Sequence, residues 1–123
     1  MKTVIAVRGA TTLACDSKEE IEKKTNELIS AVLQKNGLPC ADTQYVSLLI
    51  STTQDIHSFY PARAVRESGL LDVPLFSCVE PDIKGALPLC IRIMLTLACE
   101  KECKPHHVYL HGAAALRPDL ADK

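Results

Sequence analysis

Cys90-Ile91-Arg92-Ile93-Met94-Leu95-Thr96-Leu97-Ala98 is the stretch on which the fold turns. Apolar and β-branched residues dominate it and Pro88 stands just before it, so it reads as a strand. Side chains alternate faces along a strand. Ile91, Ile93, Leu95 and Leu97 therefore share one wholly apolar face, and Cys90, Arg92, Met94 and Thr96 share the other. Arg92 becomes a permanent cation inside a greasy element. Burying a guanidinium is costly unless a carboxylate or a bound anion pairs with it. On these residues alone both partners stay open.

Upstream, Thr3-Val4-Ile5-Ala6-Val7-Arg8 reads as a first strand stopped by Gly9, with Arg8 at its end. A helix follows. Ser17 and Glu20 have capping-box spacing, and Ile21, Thr25, Leu28, Ile29, Val32 and Leu33 form one apolar stripe at helical period. Gly37 ends it and Pro39 prevents its resumption. Gln44 to Thr53 reads as a second strand, and Phe59 to Glu67 as a short helical piece with Pro61 in its first turn. Arg63 and Arg66, three apart, share a face of that piece. Val73 to Glu80 reads as a third strand whose early proline suits an edge or a strand start. Consecutive strands are commonly neighbours, which would let Glu80 approach Arg92. His106 to Leu110 supplies a further strand, with Tyr109 on the face of His107 and His111. The expectation is one α+β domain over 1–123: a mixed sheet of about five strands packed on one long helix plus a short helical turn, with 118–123 a loose tail.

Composition narrows the function classes. A hydrophobic fraction of 47% against 24% charged is that of an ordinary globular domain. A net charge of −1 without a basic or acidic block argues against nucleic acid and membrane surfaces as partners. No apolar run reaches the ~18 residues needed to span a bilayer, and the N-terminal segment does not read as a signal peptide. A cytoplasmic location is expected. The six cysteines are then expected as free thiols. Cys99, Cys103 and His106 approach a zinc spacing without matching one, so no metal is expected there. There is no nucleotide-binding glycine pattern and no evident nucleophile–base pair, so neither cofactor nor covalent chemistry is expected. Two arginines and a phenol converging at strand ends would suit a dianionic small molecule, and Glu80 beside them could orient a hydroxyl.

Several segments extend this. Val7-Arg8-Gly9-Ala10-Thr11-Thr12, Tyr60-Pro61-Ala62-Arg63-Ala64-Val65-Arg66, Cys90-Ile91-Arg92-Ile93-Met94, His107-Val108-Tyr109-Leu110 and Leu116-Arg117-Pro118-Asp119-Leu120 closely resemble, in order and in spacing, the AroH-class chorismate mutases. The resemblance implies a trimeric pseudo-α/β-barrel, a homotrimer with active sites between subunits, and the [3,3] rearrangement of chorismate to prephenate on the route to phenylalanine and tyrosine. It implies Arg92 at the ether oxygen and a carboxylate, Glu80 at the ring hydroxyl, and Arg8 and Tyr109 at a carboxylate. Phe76, Ser77, Cys78 and Val79 would form the neighbouring binding strand. Tyr60, Arg63, Arg66 and Arg117 would form the aromatic and basic rim and tail. Ser77 stands where some relatives carry cysteine, and Arg63 where some carry lysine. Three rival readings use the same residues: a non-catalytic dicarboxylate binder or sensor on the trimeric scaffold, a deaminase-like or translation-associated small trimer, and an interaction domain in which Arg92 only pairs with Glu80.

Overall fold

The sheet is built around the quoted stretch. The computed structural model describes residues 2–100 and 104–117, and the tail from 118 and Cys103 lie outside the described residues. Its elements are β1 (Thr3–Thr12), α1 (Lys18–Lys35), β2 (Gln44–Thr52), α2 (Pro61–Ser68), β3 (Leu75–Val79), β4 (Cys90–Cys99) and β5 (Val108–Tyr109), followed by a 3₁₀ turn at His111–Ala115. The strand order is β3-β2-β4-β1-β5. β4 runs antiparallel to both its neighbours, and the outer pairs β2·β3 and β1·β5 are parallel, so the sheet is mixed.

The long helix forms as its pattern predicts. The Ser17 hydroxyl accepts from the Glu20 N–H at 3.2 Å and caps the first turn. The Glu20 carboxylate does not complete the box on Ser17. It accepts instead from the Ala14 N–H at 2.6 Å and from Lys24 at 2.9 Å. These two bonds hold the Glu20 pKa below the usual carboxylate range, against a smaller effect of burial. At the far end the Asn36 amide donates to the Val32 carbonyl and accepts from the His106 N–H, which moors the strand-forming segment 106–109 to the helix.

Ile21, Leu28, Ile29 and Val32 of α1, with Val65 of α2, pack on Val7, Leu48, Ile50, Ile91, Ile93, Leu95 and Leu97. That is one face of the sheet. Gly9 lies under the helix: a Cβ there would come within 3.2 Å of both Leu28 and Ile93, so its missing side chain lets α1 approach β1 closely.

The other face is covered only in part: Ala113 of the 3₁₀ turn, with Leu87 and Leu116 against it, packs on Ala10, Cys90 and Tyr109. Val4 (67% exposed), Leu49 (40%), Phe76 (66%) and Met94 (38%) lie open on it. This corrects the expectation of a buried Arg92. Its side chain is 48% exposed, because α1 and α2 sheathe only the face bearing Ile91, Ile93, Leu95 and Leu97, and the small cluster around Cys90 and Ala10 does not extend over it. Antiparallel sheets tolerate such one-sided cover.

Removing a side chain at the α1–sheet contact tests this core. Leu28→Ala is expected to destabilise the fold by roughly 2–5 kcal/mol, the range for emptying a leucine site in a packed core. Equilibrium urea denaturation measures it, and an unchanged midpoint would place Leu28 outside the core.

Candidate active site

Strand register assembles the site. Arg92 of β4 pairs with Ala10 of β1 on one side and Ser51 of β2 on the other. Ala10 pairs in turn with Tyr109 of β5, and Ser51 with Cys78 of β3. One row therefore crosses all five strands on the open face: Cys78, Ser51, Arg92, Ala10, Tyr109. Ser51 leaves a trough beside the guanidinium, while Ala10 is buried against Tyr109 and Ala113. In the adjacent row Arg8 pairs with Met94, Met94 with Leu49, and Leu49 with Phe76. A cavity of about 370 Å³ opens over these rows, bordered by Arg8, Cys78, Glu80, Arg92, Tyr109 and Arg117, with Ser51 in its floor. That volume falls within the ordinary range for a small-molecule site.

Glu80 reaches Arg92, its Oε1 lying 3.2 Å from the arginine Nε. The expected route was different. β3 and β4 are not neighbours; β2 runs between them. The contact forms because the chain beyond β3 is tied to β2, where the Glu80 N–H donates to the Thr52 carbonyl at 2.7 Å, while Thr52 stands one residue beyond Arg92's cross-strand partner.

The strand pleat separates the other sequence candidates. Cys78 faces the Arg92 cavity. Ser77 and Val79 line a second cavity of about 720 Å³ on the α2 side of β3, together with Tyr60, Arg63, His57 and Phe59. Cys78 borders both cavities. Arg63 is held by Glu67 at 2.6 Å and lies 5.4 Å from the Phe59 ring centre, within cation–π range. Arg66 sits with Tyr60, Ala62 and Arg63 around a separate shallow depression on α2. Phe76 lies on the open face without bordering either main cavity. The structure thus gathers Arg8, Cys78, Glu80, Arg92, Tyr109 and Arg117. It does not bring Phe76, Ser77, Val79, Tyr60, Arg63 or Arg66 to them within one chain. Ser51, Leu49 and Met94 also line it and were not singled out from the sequence as site residues; only the register places them beside Arg92.

The electrostatics are those of an anion site. Burial pushes the Cys90 thiol up, and the neighbouring Arg92 charge lowers it only in part, so Cys90 stays a thiol at the base of the arginine. The His107 ring accepts the Arg8 backbone N–H on Nδ1 at 2.9 Å, which fixes its proton on Nε2. Its pKa is lowered, first by burial and then by the charges of Arg8, Arg117 and His106. His107 is therefore committed to holding Arg8. Cys103, the middle member of the possible zinc spacing, lies outside the described residues.

The His107 contact has a pH signature. An unfolded histidine titrates near ~6.5. Below that, the unfolded chain takes up a proton that the folded one resists, so this residue's contribution is full above about 6.5 and is lost as pH falls toward the lower folded value. The urea midpoint is expected to drop from pH 7.5 to pH 5.5, and His107→Gln, which keeps an acceptor and cannot titrate, is expected to drop less. Equal slopes in both proteins would remove His107 from the linkage.

Residues 4–120 match the family described as chorismate mutase type I. Over 117 residues the chain is 41% identical to chorismate mutase AroH of Bacillus subtilis (strain 168), covering 94% of this chain and 91% of that protein. Over 118 residues it is 36% identical to chorismate mutase AroH of Thermus thermophilus, covering 95% and 96% respectively. Among solved structures, a chorismate mutase from Clostridium thermocellum superposes with a TM-score of 0.81 at 36% identity, over 90% of this chain and 98% of that one.

Proposed function

The chain belongs to the chorismate mutase type I family, and from that premise we propose how its own residues convert chorismate to prephenate. The observation that carries the reading is the row that sets Arg92 between Ser51 and Ala10, with Glu80 on its Nε and Tyr109 at the end of that row. A unimolecular [3,3] shift needs no nucleophile, proton shuttle or cofactor. It needs the substrate's chain folded over its ring, and a positive charge where the breaking ether bond leaves electron density.

Arg92 takes that second task. As the C–O bond lengthens, negative charge grows on the oxygen, and a fixed guanidinium favours the transition state over the ground state. One preorganised donor of this kind is worth about 3 kcal/mol, or roughly a hundredfold in rate. Glu80 engages the Nε side of the guanidinium, so its NH2 groups would be the donors to the substrate; the Glu80 carboxylate also accepts from the ring hydroxyl. Arg8 and Tyr109 hold a substrate carboxylate, with Arg117 closing over the same side. The pair does not read as a structural ion bridge. With side chains 48% and 25% exposed, it resembles surface pairs that contribute about 0–1 kcal/mol. A non-catalytic dicarboxylate binder is not favoured by the family assignment.

The active assembly is a homotrimer with sites between subunits. Two features support this. The open sheet face carries Val4, Leu49, Phe76 and Met94, an apolar surface that a second copy would remove from water. The candidate residues also fall into two groups that strand alternation keeps apart in one chain: Arg8, Glu80, Arg92, Tyr109 and Arg117 on the open face, and Tyr60, Arg63, Ser77 and Val79 beyond the edge strand. An interface between copies lets the second group of one subunit complete the first group of another. Arg66 and Phe76 then belong to its rim. Ser77 would offer a hydroxyl where some relatives offer a thiol, a comparable small donor.

Two measurements bear on this. Arg92 replaced by neutral, isosteric citrulline is expected to lose about a hundredfold or more in kcat; near-native turnover, followed by chorismate absorbance, would refute electrostatic stabilisation by this side chain. Leu49→Glu puts a charge on the open face and is expected to shift the mass seen by light scattering from trimer to monomer. A native protein that runs as a monomer at micromolar concentration would overturn the interfacial site.

A further inference from the structure

Thr52, which ends β2, and Thr53 just beyond it hold the backbone of Glu80 and of Cys90, two residues before Arg92. On one side the Glu80 N–H donates to the Thr52 carbonyl at 2.7 Å. On the other, Thr53 grips the first residue of β4: its N–H donates to the Cys90 carbonyl at 3.1 Å, and its hydroxyl oxygen accepts from the Cys90 N–H at 3.0 Å. That hydroxyl donates in turn to Oδ1 of Asp55. The second Asp55 oxygen accepts from the Leu89 N–H at 2.9 Å.

Leu89 is where such a tie is needed. Its φ of 47° lies in the left-handed region, which is strained for a non-glycine residue. Its N–H is held by Asp55 and its carbonyl accepts from the Leu13 N–H at 2.9 Å. This kink turns the exposed 81–88 connection into β4, so that Arg92, two residues beyond Cys90, meets a carboxylate hung from the adjacent residue of β2. Burial would raise the Asp55 pKa, yet the Thr53 hydroxyl and Leu89 N–H together lower it, as expected for a carboxylate whose two oxygens are both engaged.

We infer that Asp55, acting through Thr53 and Leu89, is a positioning residue for the reaction: it sets the approach of the Arg92 guanidinium to Glu80 without touching substrate. The inference rests on the reading of Arg92 and Glu80 given above. It separates Asp55 from the acidic surface at large, because its hydrogen bonds through Thr53 and to Leu89 fix the backbone at Cys90, where β4 starts two residues before Arg92.

The test is a kinetic cycle on the full-length protein. Asp55→Ala and Asp55→Asn are made in the native background and in an Arg92→Lys background, and kcat and KM for chorismate are measured, with thermal melting and light scattering confirming the fold and assembly. Asp55→Ala is expected to lower kcat by about ten- to a hundredfold with KM held within about twofold, since a small misplacement of a catalytic group acts on the transition state. Asp55→Asn, whose amide oxygen still accepts the Leu89 N–H, is expected to recover most of that loss. In the Arg92→Lys background, where the guanidinium to be positioned is gone, Asp55→Ala is expected to cost less than about threefold. Unchanged kcat in Asp55→Ala, a loss confined to KM, or the same loss in both backgrounds would overturn the inference while leaving Arg92 in its role. Native turnover by Arg92→Lys would show that no guanidinium has to be positioned and would overturn this inference, whereas the charge itself is tested by the citrulline variant. If Asp55→Ala does not fold, Thr53→Val carries the same comparison, with Thr53→Ser, which keeps the hydroxyl, as the variant expected to retain turnover.

Discussion

The packing of both α-helices on one face of the sheet governs the rest of the molecule. α1 and α2 pack on the face bearing Val7, Ile91, Ile93, Leu95 and Leu97, and strand alternation then commits every intervening residue of β4 to the other side. The main core and the candidate chemistry are thereby assigned to opposite faces of the same strands, and only a small cluster of Ala10, Cys90, Tyr109 and Ala113 is packed on the second face. The apolar face carries the core and can be close-packed. The open face can carry a guanidinium because water still reaches it in the single chain, so Arg92 incurs little of the desolvation penalty that a buried position would impose. The charge becomes expensive only once a ligand or a second copy closes over it, and a dianionic ligand brings its own compensation.

Local patterns were legible where local physics decides. The Ser17 cap, the stripe from Ile21 to Val32, the stop at Gly37 and the strand alternation of 90–98 each follow from neighbours within a few residues, and each stands in the structure. What a strand lies beside is a longer-range matter. Val73 to Glu80 and the β4 stretch are consecutive, yet β2 separates them, because a parallel β2·β3 pair lets α2 cross over the core. The Glu80–Arg92 contact was expected from adjacency and arises instead from backbone ties to β2. The cover over Arg92 was overestimated for a related reason. Cys90 and Met94 look as apolar as Ile91 and Ile93, and nothing in the stretch itself says that only one face meets a helix.

The site shows the same division. The family resemblance names residues without regard to which way they point, so 76–79 entered as one binding strand. The pleat makes that impossible within a chain: Cys78 turns to Arg92 while Ser77 and Val79 turn to Tyr60 and Arg63. Ser51 escaped notice because a serine in an apolar strand carries no signal of its own. Its place follows from register alone, which puts it between Cys78 and Arg92.

The cavity over Arg92 is ringed by positive charge. Arg8, Arg92 and Arg117 stand around it with Glu80 as the carboxylate on its border, in a chain whose net charge is −1. The positive field is therefore local, assembled by the fold rather than by composition. His107, just outside, registers it: after burial, the Arg8 and Arg117 charges are what hold its pKa down. A ring kept neutral by that field can go on accepting the Arg8 backbone N–H, so the charges that would repel one another also stabilise the contact that fixes one of them. Arginines clustered this way raise the energy of the unliganded protein through mutual repulsion. In the proposed mechanism a ligand with two carboxylates relieves it, and an oxygen gaining negative charge during reaction relieves it further, which is the difference between binding a substrate and accelerating its rearrangement.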